Sequence, residues 1–87
     1  MLKIHRTENG VVVFTLSGRI HVDHVAELKT LFGSEDKGRA IVLDLKDLTL
    51  VDREAVSFLE RCEAGSVKLK NCPAYIREWI TRERNGN

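Results

Sequence analysis

The sequence predicts an α/β domain in which a four-stranded mixed sheet is built in the order β-β-α-β-α-β-α, with the last three strands parallel. Three observations predict it. Apolar residues alternate with polar ones near the N-terminus and recur at helical spacing in three later stretches. Asn9-Gly10 separates the first two β-rich runs, as a hairpin requires. Each helical stretch follows a run of β-formers and opens on a helix-start signal, so right-handed crossovers set the strands side by side with the helices mainly on one face. A chain of 87 residues encloses one core, which makes 1–87 a single domain, with the polar tail 84–87 expected to be disordered.

Leu2 to Thr7 sets Leu2 and Ile4 against Lys3 and His5, the pattern of an edge strand whose polar face discourages further pairing. Val11 to Ser17 is denser in β-formers and is expected to pair antiparallel with it through a type I′ turn at Asn9-Gly10, ending at Gly18. Asp23 is the expected N-cap of a first helix that carries Val25, Leu28, Leu31 and Phe32 on one face and closes at Gly33. Ser34 to Arg39 is a polar connection, expected to be mobile. Ala40 to Leu45 reads as the central strand, followed by a polar turn at Lys46-Asp47. Asp52 stands at the N-cap of a second helix, where its carboxylate can accept from the amides of Glu54 or Ala55. Val51 and Val56 there have the spacing of a hydrophobic staple. Ala55, Leu59 and Cys62 form that helix's apolar stripe, and Gly65 ends it. Ser66 to Lys70 reads as a half-exposed fourth strand. Pro73, placed at the first helical position, starts a last helix with Tyr75, Ile76, Trp79 and Ile80 as its apolar stripe, fraying near Arg84; Tyr75 and Trp79 are expected in the core, although a stripe near a chain end also suits a partner interface.

Fourteen basic and thirteen acidic residues give a net charge of +1 with the signs interleaved, a balance that argues against a nucleic-acid or anionic-membrane surface. Cys62 and Cys72 have no CxxC spacing, and Cys62 falls on an apolar stripe, so reduced thiols are expected. The N-terminus lacks the apolar core of a signal peptide, and no apolar run nears the roughly 18 residues of a membrane span. A cytoplasmic protein without membrane insertion is expected.

The predicted topology gathers strand carboxyl ends and helix N-termini along one edge of the sheet, with Arg19, His21, Asp23, His24, Asp47, Asp52, Arg53, Glu54, Asn71 and Cys72. His21-Val22-Asp23-His24 is the nearest approach to a metal motif, but zinc patterns recruit a second cluster, and none is evident. Cys72, Ser57 and Ser66 have no sequence context that would supply an oriented base. Phosphate binding at helix N-termini needs free backbone donors, whereas Asp23, Asp52 and Glu54 fill the first turns and repel anions. No catalytic residue, cofactor or metal is predicted.

Ile41 to Leu59, read with Val13 to Ile20, resembles the STAS domain family of sulfate transporters and anti-sigma-factor antagonists. In that family a strand ending like Leu43-Asp44-Leu45 is followed by a turn and an Asp-Ser-Ser/Ala-Gly-Leu motif that opens the next helix; the corresponding residues are Asp52-Arg53-Glu54-Ala55-Val56. Leu16-Ser17-Gly18-Arg19-Ile20 matches the family's Leu-x-Gly-x-Ile/Leu strand end. The resemblance spans nearly the whole chain and implies a STAS/anti-sigma-factor antagonist-like fold and a non-enzymatic regulatory role. The family's antagonists dock a kinase-type anti-sigma factor at the start of the second helix and are switched off by phosphorylation of a serine there. Here Arg53-Glu54 replaces the serine pair, so Glu54 occupies the phosphoserine position without a hydroxyl, and its single charge only partly imitates phosphate.

Two functions follow from the resemblance. The first is a protein-binding module of bacterial type whose docking residues are Asp52, Arg53, Glu54, Arg19 and Asp47. Its partner would be an anti-sigma-factor kinase-like protein, a subunit of a lipid-trafficking ABC transporter, or a second copy forming a homodimer. The alternative is a nucleotide- or lipid-binding STAS domain using the same edge.

Overall fold

The structure, a computed structural model, describes residues 2–35 and 40–86. Seven elements follow one another: β1 (Leu2–Asn9), β2 (Val11–Ile20), α1 (Val22–Gly33), β3 (Ile41–Val51), α2 (Arg53–Ala64), β4 (Val67–Lys70) and α3 (Ala74–Arg84). The sheet has the order β1-β2-β3-β4, with β1 and β2 antiparallel and β2, β3 and β4 parallel, as the sequence predicts. Because β2, β3 and β4 advance in one direction, right-handed crossovers carry α1 and α2 over the same face. On β2 that face buries Val12, Phe14 and Leu16, while Val13, Thr15 and Ser17 on the other face stay half-buried. Phe14, Phe32 and Phe58 join sheet, α1 and α2, with ring centroids 5.2 and 5.8 Å apart along the chain of three.

The hairpin reverses more tightly than a type I′ turn. Asn9 and Val11 are already paired, so the reversal falls on Gly10 alone, at φ +82°. β2 does not break at Gly18 but passes through it at φ +95° and continues to Ile20. Glycine tolerates that left-handed backbone at little cost.

The central strand differs most from the reading of the sequence. β3 does not turn at Lys46-Asp47 but runs to Val51, with Asp47 paired to Ser17 and Leu50 to Arg19. Between Thr15 and Ser17, and again between Gly18 and Arg19, β3 uses one residue more than β2. Each extra residue is a bulge that resets the in-out alternation. Leu45, Leu48 and Val51 therefore all point into the core at a spacing of three, with Lys46, Asp47, Thr49 and Leu50 exposed between them. The Thr49 hydroxyl donates to the Gly18 carbonyl at 2.9 Å and secures the second bulge.

Helix starts are displaced by one or two positions. His21, not Asp23, is the N-cap of α1; Asp23 lies in its first turn, and the His21 amide donates to His24 Nδ1 at 3.0 Å. Pro73 is the N-cap of α3 rather than its first residue. Asp52 caps α2 as predicted, with Val51 and Val56 buried beside it. Gly65 closes α2 at negative φ, its amide reaching the carbonyls of Arg61 and Cys62. Of the connection 34–39, residues 36–39 lie outside the described residues, as does Asn87 of the tail. Arg84 is not frayed: it donates to Glu63 and pairs with Glu60 at 3.6 Å.

Candidate functional site

β2 and β3 end in register, Ile20 opposite Val51, and each feeds a helix within two residues. The N-termini of α1 and α2 therefore lie side by side, each with first-turn amides that have no partner inside its helix. Asp52 serves both. Its Oδ1 accepts from the Ala55 amide at 2.8 Å, and its Oδ2 accepts from the Val22 amide of α1 at 3.1 Å. His21 Nδ1 lies 3.9 Å from the same Oδ2. The carboxylate thus ties two crossovers together and occupies donors that an incoming phosphate would need.

Of the residues the sequence nominated, Arg53 and Glu54 stand beside this tie. Arg53 and Glu54 open α2 and face solvent; Arg53 is 78% exposed and its Nε lies 3.4 Å from Glu83 Oε1 on α3. Arg19 is exposed one residue before the end of β2, opposite Leu50. Asp47 is set further back on β3, opposite Ser17. Asn71 and Cys72 do not join the edge, because β4 ends at Lys70, level with Asp44, while β3 continues to Val51. Asn71 there, at φ +55°, donates to the buried Asp44 carboxylate at 3.3 Å. Among the described residues, no three of His, Cys, Asp or Glu come together as a metal site. His24 Nδ1 is engaged by the His21 amide.

Sequence reasoning missed the apolar part of the edge. Val22, Leu50 and Tyr75 are 53%, 50% and 47% exposed, which makes them three of the four large apolar side chains open to solvent among the described residues. The fourth, Val11, lies at the opposite end of the strands. Tyr75, expected in the core, instead donates its hydroxyl to the Thr49 carbonyl at 2.9 Å and brings the first turn of α3 to the end of β3. Helical periodicity does not distinguish this position from Ile76, its buried neighbour. For Leu50 the signal was present but depends on locating the bulges. Beside Arg53, a groove of about 660 Å³ is lined by Tyr75, Glu78, Trp79, Arg82 and Glu83.

The placement of α3 rests on a clamp to α2. Arg77 donates twice to Glu63, at 2.7 and 2.8 Å, and Arg84 donates to the same carboxylate. These bonds, that of Arg77 foremost, pull the Glu63 carboxyl down to about 2. Burial pushes the Cys62 thiol up to about 11 and raises that of Cys72. Both are neutral thiols at physiological pH, and neither is poised as a nucleophile.

No protein-family model and no curated protein matches the sequence. Among solved structures it is similar to an uncharacterized protein of the DUF3478 family from Shewanella loihica PV-4, described as having a SpoIIAA-like fold. The TM-score is 0.59 at 16% identity, over 98% of this chain and 77% of that one. The chain has a SpoIIAA-like fold. This is the anti-sigma-factor antagonist architecture that the STAS resemblance implied. In this SpoIIAA-like domain no helix among the described residues is long and apolar enough to cross a membrane.

Proposed function

We propose that this protein is a non-enzymatic docking module that binds a protein partner on the edge formed by the N-termini of α1 and α2. The observation that carries the reading is the exposure of Val22, Leu50 and Tyr75 at the strand ends and helix starts of the edge where Asp52, Arg53 and Glu54 stand. Apolar groups ringed by charges suit a protein interface, with the apolar groups as anchors and the charges as rim. An anionic ligand is disfavoured there, because Asp52 already holds the Val22 and Ala55 amides and Glu54 adds a negative charge. The STAS resemblance supports the same edge, in a form without a phosphoserine switch, since Glu54 has no hydroxyl to modify. The partner class is an anti-sigma-factor kinase-like protein or a transporter subunit, met in the cytoplasm.

The test is affinity capture from cells of the native organism with the wild-type protein, Arg53→Glu and Leu50→Asp side by side, after circular dichroism has established that all three are folded. The partner retained by wild type should be lost or reduced at least tenfold with each variant. Equal retention by all three overturns the assignment of this edge.

A further inference from the structure

α3 presents Tyr75, Glu78, Trp79 and Arg82 at i, i+3, i+4 and i+7, which makes one stripe along the helix. Its other side buries Ile76 and Ile80 in the core. The stripe is one wall of the groove beside Arg53, and no other element among the described residues fills that groove. Four of the six lining residues are charged, two of each sign: Arg53 and Arg82 against Glu78 and Glu83. A partner with a face of one sign therefore gains nothing overall from this groove. Arg53 and Glu83 already face each other at 3.4 Å, so the charges that a second surface can meet are Glu78 and Arg82, which calls for a base and an acid in the reverse order.

The reversed surface is α3 itself. We propose that two copies of this chain associate through α3, antiparallel and side by side, each helix lying in the other's groove. A two-fold axis passing at the level of Ile80 sets Glu78 of each copy against Arg82 of the other and brings the two Trp79 side chains close to the axis. Because Glu78 and Arg82 lie equally far from the axis and carry opposite charges, this isologous contact is complementary at both positions. The intramolecular pair Glu78–Arg82, 2.6 Å apart with side chains 65% and 68% exposed, is a surface pair, so exchanging it for the intermolecular pairs costs little. The net charge of +1 adds almost no repulsion between copies. One helix face and its groove supply fewer than the roughly 20–30 residues a side of a standard interface, so the dimer is weak, with a dissociation constant in the micromolar range or above.

The groove shares Arg53 and Tyr75 with the docking edge proposed above, whereas Glu78 and Arg82 belong to the groove alone, so reversals at these two positions test the association separately from the docking edge. Sedimentation velocity from about 10 µM to 1 mM tests it. Wild type should show a concentration-dependent monomer–dimer equilibrium. Glu78→Arg and Arg82→Glu, each placing like charges opposite one another, should raise the dissociation constant at least tenfold. An equimolar mixture of the two variants should restore dimerisation, because every charge then meets its opposite. A wild type that is monomeric throughout the range overturns the proposal. So does a dimer indifferent to both reversals, or a mixture that stays as monomeric as its components.

Discussion

Asp52 binds the amide of Val22, a residue thirty positions earlier, with the carboxylate oxygen that its own helix does not use. The cap of α2 is thereby also a cap of α1, and the relative position of the two helix starts is fixed by one side chain. Removing it leaves two first-turn amides without their acceptor instead of one. Asp52→Ala should cost about 2–3 kcal/mol, above the roughly 1 kcal/mol of an ordinary cap, because a second hydrogen bond to a charged group is lost with it. Urea denaturation measures this, and a loss of only about 1 kcal/mol would show that the tie to Val22 contributes nothing. Asp52→Asn, which keeps one side-chain acceptor, should fall between wild type and Asp52→Ala.

The α2–α3 clamp makes stability sensitive to acid. The folded-state value of Glu63, about 2, lies below its ordinary value of 4.5, so the folded protein binds the proton less well than the unfolded chain. The contribution of Glu63 is present in full above about pH 5 and is lost as pH falls from there toward 2. Because the carboxylate and both arginines are partly open to solvent, solvent screening reduces the contribution to on the order of 1–2 kcal/mol. Chemical denaturation at pH 7 and pH 3 should show Glu63→Gln less stable than wild type at pH 7, with the difference reduced to about half or less at pH 3, one unit above the folded-state value. A difference that does not narrow on acidification counts against the clamp.

The bulged end of β3 makes opposite predictions for two leucines on one strand. Leu48 is 5% exposed and Leu50 is 50% exposed, although simple alternation puts both on the same face. Leu48→Ala should destabilise by about 2–4 kcal/mol, through lost burial and the cavity left behind. Leu50→Ser should stay within about 0.5 kcal/mol of wild type, as a substitution at an exposed site does. Similar losses at the two positions would mean that the strand alternates regularly and that Leu50 is not available on the edge.

The order of elements, the antiparallel first strand and the cap at Asp52 were legible because each depends on neighbours in sequence: alternation in β2, a polar residue before an apolar helical stripe, a glycine at the hairpin. The end of β3 was not legible in the same way. Its buried residues Leu45, Leu48 and Val51 follow neither a strand period nor a helix period, and their spacing makes sense only against the register of β2. The tie from Asp52 to Val22 and the hydroxyl of Tyr75 on the Thr49 carbonyl are pairings between distant parts of the chain that no local pattern encodes. Hence the charged half of the candidate edge could be named from sequence, while its apolar half required the fold.

Arg53 provides the cleanest separation of binding from folding. Its side chain is 78% exposed, and its contact with Glu83, 3.4 Å from nitrogen to oxygen, is a solvent-facing ion pair of the kind that contributes about 0–1 kcal/mol. Arg53→Glu replaces that pair with a like-charge contact but also places a second acid in the first turn of α2, where the helix dipole favours it. The two effects oppose each other, so the variant should unfold within about 0.5 kcal/mol of wild type. Reversing a rim charge acts instead on association, lowering the on-rate for a partner of complementary charge and changing its salt dependence. A variant that keeps the wild-type denaturation midpoint but loses its captured partner locates the interface at the start of α2; one that loses stability and partner together does not, and Arg53 would then be part of the scaffold.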